Sequence, residues 1–282
     1  MRMLSLSAME LTDYTLINAE PTSLGKYWKG LWKYRRMISV FALQEIKVSY
    51  AQTFFGLFWL LFKPLIVLGV FTFLFGNVIE ISGMKHPYAL FAFSGLIAWN
   101  YFNFLVGSGS GALINNQHLI RKMYFPRMVL PLAKVLVGLV EAGVSFLILF
   151  TLMIILGYPF SVKLLALFVF LFFNIISGLG IALWLNALNL RYRDLNHFIP
   201  VLIGFLIWLT PVFYPSTLIP QEFSFLLYLN PMAGIIECYR WAILGDPFPS
   251  IKYLIAIAEV AVVFISGVWF FIRMEDVMAD YL

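Results

Sequence analysis

Charge is what this sequence has least of. Only 12% of its 282 residues are Asp, Glu, Lys or Arg, against 62% hydrophobic and 18% aromatic. A soluble domain carries roughly 25% charged residues, so this chain cannot cover a water-facing surface. That excludes a water-soluble enzyme, and it excludes a disordered chain, which needs low hydrophobicity and high net charge. Cysteine is nearly absent. Cys238 stands alone, so no intrachain disulfide and no cysteine-based zinc site can form. The three histidines, His86, His118 and His197, fall in different connections or span edges, and no metal site is expected from them. No G-x-x-x-x-G-K-[ST] loop occurs, so the chain does not itself hold ATP in that mode. The run Gly107-Ser-Gly-Ser-Gly111 looks like a nucleotide loop but follows an apolar run rather than a strand. Its glycines at 107 and 111 suit close helix packing better.

Long apolar runs are what the sequence does have. They lie at about 54–79, 88–114, 128–157, 164–189, 198–214 and 251–272, each near or above the roughly 20 residues that span about 30 Å of hydrocarbon. The expected fold is therefore an all-α integral membrane protein with six transmembrane helices. A cytoplasmic segment over 1–52 precedes the spans, which fill 53–273, and a short tail over 274–282 follows them. The first twenty residues have no apolar core, so no cleavable leader is expected. The formal net charge of +5 does not read as a nucleic-acid signal, because the basic residues sit beside apolar runs. Thirteen of the nineteen Lys and Arg fall on one face of the predicted topology, in 1–52, 121–127, 191–193 and at Arg273, where the tail begins. Such an excess marks the cytoplasmic side, which places both termini in the cytoplasm.

Two stretches depart from a plain six-span array. In Leu24–Ile38, apolar residues recur at 24, 27, 28, 31, 32 and 38, with Lys26, Lys29, Lys33 and Arg36 on the other face. That spacing predicts an amphipathic helix over 24–38 lying in the membrane interface against lipid. The stretch 215–250 holds five of the thirteen prolines around the apolar pieces Phe223–Leu229 and Met232–Leu244. Pieces too short to span, broken by proline, read as external re-entrant half-helices, or else as an external hairpin. Irregular backbone at membrane depth needs cover from protein or water.

Ionisable residues inside spans are functional candidates by default. Lys63 in the first span either snorkels to the headgroups or faces a wet path. Lys134 and Glu141, seven apart in the third span, share a face and read as a structural pair; Glu259 in the sixth span has no evident partner. Aromatics crowd the first span (Phe58, Trp59 and Phe62 among them), the second span, and the fifth span with Trp208 and Tyr214. Those facing a pore would suit sugars, whose apolar C–H faces lie flat on rings. The connection 115–127 is short and mixed, a candidate docking helix or a plain topology signal. Glu237 and Arg240, three apart, share a face and are candidates for an external gate.

These segments together resemble the permease subunit of type-2 ABC exporters of cell-surface polysaccharide, the O-antigen and teichoic-acid export family. The residues that carry the resemblance are Tyr50-Ala-Gln-Thr-Phe-Phe-Gly-Leu-Phe-Trp59 with Lys63-Pro64-Leu65, and Leu119-Ile-Arg-Lys-Met-Tyr-Phe-Pro-Arg127 running to Leu130-Pro131-Leu132-Ala133. To these add Arg193-Asp194, Pro211-Val-Phe-Tyr-Pro215, Asn230-Pro231 to Arg240-Trp241, and the tail Arg273-Met-Glu-Asp276. Lys63 departs from the family, where a polar uncharged amide is expected. The resemblance implies a homodimer with two copies of a separate cytoplasmic ATPase that holds ATP and magnesium, and a lipid-linked glycan, O-antigen-like, as substrate. It implies residence in a bacterial cytoplasmic (inner) membrane. It assigns ATPase coupling to His118, Leu119, Ile120 and Arg121, and a cytoplasmic loop to Arg193 and Asp194, with Asp194 expected to cap the fifth span. Translocation-path candidates are Phe58, Trp59, Phe62, Lys63, Trp208 and Tyr214. The alternatives are a teichoic-acid or capsule permease, an ion-coupled secondary transporter using Glu141, Glu259 or Lys63, and a membrane transferase, for which no carboxylate cluster is evident.

Overall fold

The computed structural model describes residues 24–50, 54–78, 85–192 and 194–275. Among these residues the chain is helical, with no strand. The helices are α1 (Leu24–Lys33), α2 (Arg35–Tyr50), α3 (Trp59–Phe71), α4 (Tyr88–Ser110), α5 (Ala112–Asn115) and α6 (Gln117–Lys122). They continue with α7 (Val129–Ile155), α8 (Leu167–Arg191), α9 (Leu195–Leu209), α10 (Ser224–Tyr228), α11 (Pro231–Leu244) and α12 (Leu254–Glu275).

Five helical stretches are long and apolar enough to cross a membrane: Trp59–Gly76, Tyr88–Ser110, Val129–Ile155, Val162–Arg191 and Ile251–Glu275. The expected fifth span falls on α9, which has only 15 residues. At 1.5 Å per residue that is about 22 Å, short of the roughly 30 Å hydrocarbon core. The helix stops at Thr210 because Pro211 and Pro215 follow, and proline cannot donate the backbone bond that would continue it. The first span is also irregular: α3 is continued by wider π-type turns over Thr72–Val78.

α4 is the hub. Its Leu90, Ala92, Phe93 and Ala98 are completely buried, against α7, α8, α9 and α11. Because water is absent on every side of such a helix, its loose carbonyls must find partners inside the protein. α8 supplies them with a ladder of amides. Asn174 Nδ2 donates to Ala98 O at 2.9 Å, Asn186 Nδ2 to Gly109 O at 2.7 Å, and Asn189 Nδ2 to Ser110 O at 2.9 Å. The last two satisfy the end of α4, where a helix has orphan carbonyls.

α12 packs on α8 through glycine. A Cβ at Gly267 would lie 2.5 Å from Gly180 O, and one at Gly180 would lie 2.8 Å from Phe264 Cα. Small residues at a membrane crossing let backbones approach and gain dispersion contacts, and Trp184 Nε1 adds a 3.1 Å bond to Ser266 Oγ. The expectation for Gly107 is corrected here: a Cβ there would meet nothing within 4 Å. Gly109 is the packing glycine instead, its would-be Cβ 3.0 Å from Ala182 Cβ.

The interfacial helix expected over 24–38 is two helices. The chain bends at Tyr34, whose N–H donates to Leu31 O at 2.9 Å while its own carbonyl accepts from Met37 N at 2.8 Å. On α1 Leu31 is buried, whereas Trp32, expected on the same apolar face, is 68% exposed. α2 leaves the α1 direction and packs on α7, where Ala42 meets Ala133 and Val137. Residues 1–23, 51–53, 79–84, 193 and the tail beyond Glu275, including Asp276, lie outside the described residues.

Candidate functional site

A cavity of about 390 Å³ opens among α2, α3, α4 and α7. Its wall brings together residues far apart in sequence: Tyr50, Trp59, Lys63, Asn100, Asn103 and Glu141. Helical spacing aims them there. Trp59 and Lys63 are one turn apart on α3, and Asn100, Asn103 and Gly107 recur along one side of α4. Glu141 accepts from the Tyr50 hydroxyl at 3.1 Å. The expected Lys134–Glu141 pair is not made. Lys134 instead donates to Glu45 on α2, forming an ion pair, because α2 packs across α7 at that level. Glu141 is thereby left to the cavity. Glu259 does not line it, so of the three ion-coupling candidates Lys63 and Glu141 meet at the cavity and Glu259 stands apart.

A second cavity, about 330 Å³, lies between α4 and α9 and is lined by Trp99, Pro200 and Ile203 among others. Asn103 and Gly107 line both. The flanking helices α3 and α9 leave most of their surface uncovered: Phe58 is 63% exposed, Phe62 43% and Trp208 58%. The aromatics thus divide in two. Trp99, Tyr101 and Phe102 of α4 are buried packing residues, whereas Phe58, Phe62, Phe205 and Trp208 face away from the bundle. Trp59 is half-buried on the cavity wall, and Tyr214 is half-buried with its hydroxyl donating to Trp208 O at 2.9 Å.

Just beyond α9 the chain is pinned over residues 210–214. Thr210 Oγ1 accepts from Asn230 Nδ2 at 2.9 Å, and Phe213 O accepts from the Tyr88 hydroxyl at 3.0 Å. The Phe213 ring stacks on Phe71 of α3, centroids 3.5 Å apart. Arg240 of α11 holds the rest: Nη2 donates to Pro211 O at 2.7 Å and Val212 O at 2.9 Å, and Nη1 to Glu237 Oε1 at 3.1 Å. Its Cζ sits 3.7 Å from the Phe91 ring centroid. Arg240 is 1% exposed, so this member of the expected gate pair is a buried clamp, while Glu237 is half-buried. α11 starts on Asn230, whose side chain accepts from Met232 N, with Pro231 at its first position, and stops at Gly245 with φ +79°. Those are the standard start and stop signals, and the helix they delimit packs on α4, α8 and α12.

The opposite end of the bundle carries the short helices α5 and α6. His118 and Arg121 are exposed there, and Leu119 and Ile120 are half-buried, Ile120 against the core. Met123 and Tyr124 follow at 47% and 68% exposure. A knot that the sequence did not suggest secures this end. Glu275, in the last turn of α12, accepts from the Tyr27 hydroxyl at 2.6 Å and from Arg127 N at 2.7 Å. Burial and the Glu275 carboxylate push the Tyr27 phenol well above its usual range, so Tyr27 stays a donor. Asp194 sits at the N-cap of α9 as expected, but its side chain makes no capping bond; only its charge near the helix start contributes. Arg193 lies outside the described residues.

A family profile described as ABC-2 type transporter matches residues 37–244. Among characterised proteins, the O-antigen export system permease protein RfbA of Myxococcus xanthus is 30% identical over 243 residues, covering 83% of this chain and 90% of that one. The protein of the same name from Klebsiella pneumoniae is 28% identical over 228 residues, covering 77% and 85%. The polysialic acid transport protein KpsM of Escherichia coli is 24% identical over 211 residues, covering 72% and 79%.

Proposed function

Since the chain belongs to the ABC-2 type transporter family of multi-pass membrane proteins, we propose that it is the permease of an ATP-driven exporter of cell-surface polysaccharide, with a lipid-linked, O-antigen-like glycan as substrate. In this reading two copies of the chain meet along α3 and α9, and the glycan passes between them. Two copies of a cytoplasmic ATPase supply the energy, docking on His118, Leu119, Ile120 and Arg121. The membrane is a bacterial inner membrane with both termini inside, and α9 together with residues 210–214 forms the fifth of six crossings. The half-helices α10 and α11 close the outer mouth.

The observation that carries the reading is the bareness of α3. Only 11% of its Trp59–Gly76 window is covered by the rest of the protomer, yet it bears Lys63 and a row of aromatics. A lysine within an apolar helix calls for water, a counter-charge or a partner surface. Rings of Phe58, Phe62 and Trp208 on facing protomers would give a sugar chain flat, weakly binding walls, so that it slides rather than sticks. Co-reconstitution into vesicles tests this. Export of a lipid-linked glycan must require both the ATPase subunit and hydrolysable ATP; export without the ATPase, driven by an ion gradient, overturns it. A cysteine at position 192 should label only from the cytoplasmic side, and labelling from outside overturns the orientation.

A further inference from the structure

The cavity among α2, α3, α4 and α7 holds more unspent hydrogen-bonding capacity than packing requires. Lys63, Asn100 and Asn103 point at it, and none of the three forms a hydrogen bond or ion pair with another of the described residues. Polar side chains within membrane helices are expensive unless something meets them. Among the described residues no hydrogen-bond or ion-pair partner meets these three between α3, α4 and α7. The volume, about 390 Å³, falls within the range of small-ligand sites, which combine mostly apolar walls with a few convergent polar groups.

The groups present define the ligand. Glu141 is an acceptor, Lys63 a donor, and the two amides each offer both. Their partner must therefore donate and accept at several points around its edge, which is what a ring of hydroxyls does. Trp59, half-buried on the same wall, presents a flat apolar face against which the C–H side of a pyranose can lie. The formal charges of Lys63 and Glu141 cancel, so the cavity has no net attraction for an anion. We propose that each protomer binds a short neutral saccharide in this cavity, separate from the sliding surface between protomers. This deepens the export reading above and rests on it for the source of the sugar. The site lies beside the first turns of α3 and the last turns of α4, at the end of the bundle that carries α5 and α6, so it would sample the glycan near its point of entry.

Gly107 provides the reporter, because a side chain there enters open space. The full-length protein in lipid nanodiscs, with Cys238→Ala and Gly107→Cys, is labelled by a small water-soluble thiol reagent. Maltotriose or N,N′-diacetylchitobiose is the probe and pyrophosphate the comparison. At about ten times its dissociation constant a ligand occupying the site slows labelling about tenfold. We expect that slowing with a neutral saccharide, none with pyrophosphate, and its loss in Glu141→Gln and Trp59→Leu. Ser108→Cys, the conservative change on the same wall, repeats the measurement should Gly107→Cys fail to fold. Labelling that no saccharide slows overturns the proposal, as does equal protection by pyrophosphate or protection that survives both substitutions. No nucleotide or ATPase is present, so the result is independent of whether export itself is ATP-driven.

Discussion

Replacing Arg240 by Ala should unpin the turn between α9 and α10 while leaving the rest of the bundle folded. The guanidinium makes two bonds to the carbonyls of Pro211 and Val212 and one to Glu237. Interhelical hydrogen bonds in membranes contribute about 0.6–2 kcal/mol each, so the two carbonyl bonds account for about 1–4 kcal/mol. Removing one partner of a buried ion pair costs about 3–5 kcal/mol, but Glu237 keeps 19% of its side chain exposed and can rehydrate. A net loss of about 3 kcal/mol follows, and at 1.4 kcal/mol per factor of ten this multiplies the open population of the turn by roughly 150. The assay is thiol labelling at Val212→Cys in a Cys238→Ala background, a position that is completely buried in the closed turn. Arg240→Ala should raise that labelling rate by about two orders of magnitude. Arg240→Lys should fall between, since one ammonium cannot reproduce a planar fork. If Arg240→Ala labels at the parent rate with unchanged thermal stability, the clamp is ornamental and the reasoning fails.

Further outcomes follow from other parts of the structure. Gly267→Ala places a methyl 2.5 Å from a backbone oxygen and should lower stability by about 1–3 kcal/mol, seen as a fall in Tm in detergent; Gly107→Ala, entering open space, should cause no fall. Lys134→Met strands Glu45 and should destabilise, whereas Lys134→Met combined with Glu45→Leu should recover most of the loss in the same melt, because two matched apolar groups replace a pair rather than orphan half of it. Leu119→Asp should leave the protein inserted and monodisperse but uncouple ATP hydrolysis from export in the reconstituted complex; normal export would remove α6 from the coupling role.

Much of the architecture could be read from hydropathy, because a membrane span needs only length and apolarity to announce itself. α11 was equally legible, since Asn-Pro at one end and Gly at the other are local signals whose meaning does not depend on tertiary context. The pairing of charges was not. Lys134 and Glu141 are spaced to share a helix face, but which partner each one finds depended on α2, whose docking on α7 leaves no periodic trace beyond two alanines. Glu275 was invisible for the same reason: its partners are 248 and 148 residues away. Asn100 and Asn103 did carry a signal, being amides within an apolar run at helical spacing. Glycine misled, because the same residue serves close packing at Gly109 and open space at Gly107.

The docking of α2 on α7 also limits how the protomer can deform. α7 is bolted to α2 by Lys134 and Glu45 and follows α6 after a connector of only six residues, 123–128, in which Arg127 is tied to Glu275 of α12. A push on α6 would therefore be passed to α1, α2, α7 and the end of α12 together. α3 meets that group lightly and joins the opposite end where Phe71 stacks on Phe213 and Phe75 on Tyr88. It has the geometry of a door, hung at one end and loose along its length, and the frame around it is what a cytoplasmic motor would rotate.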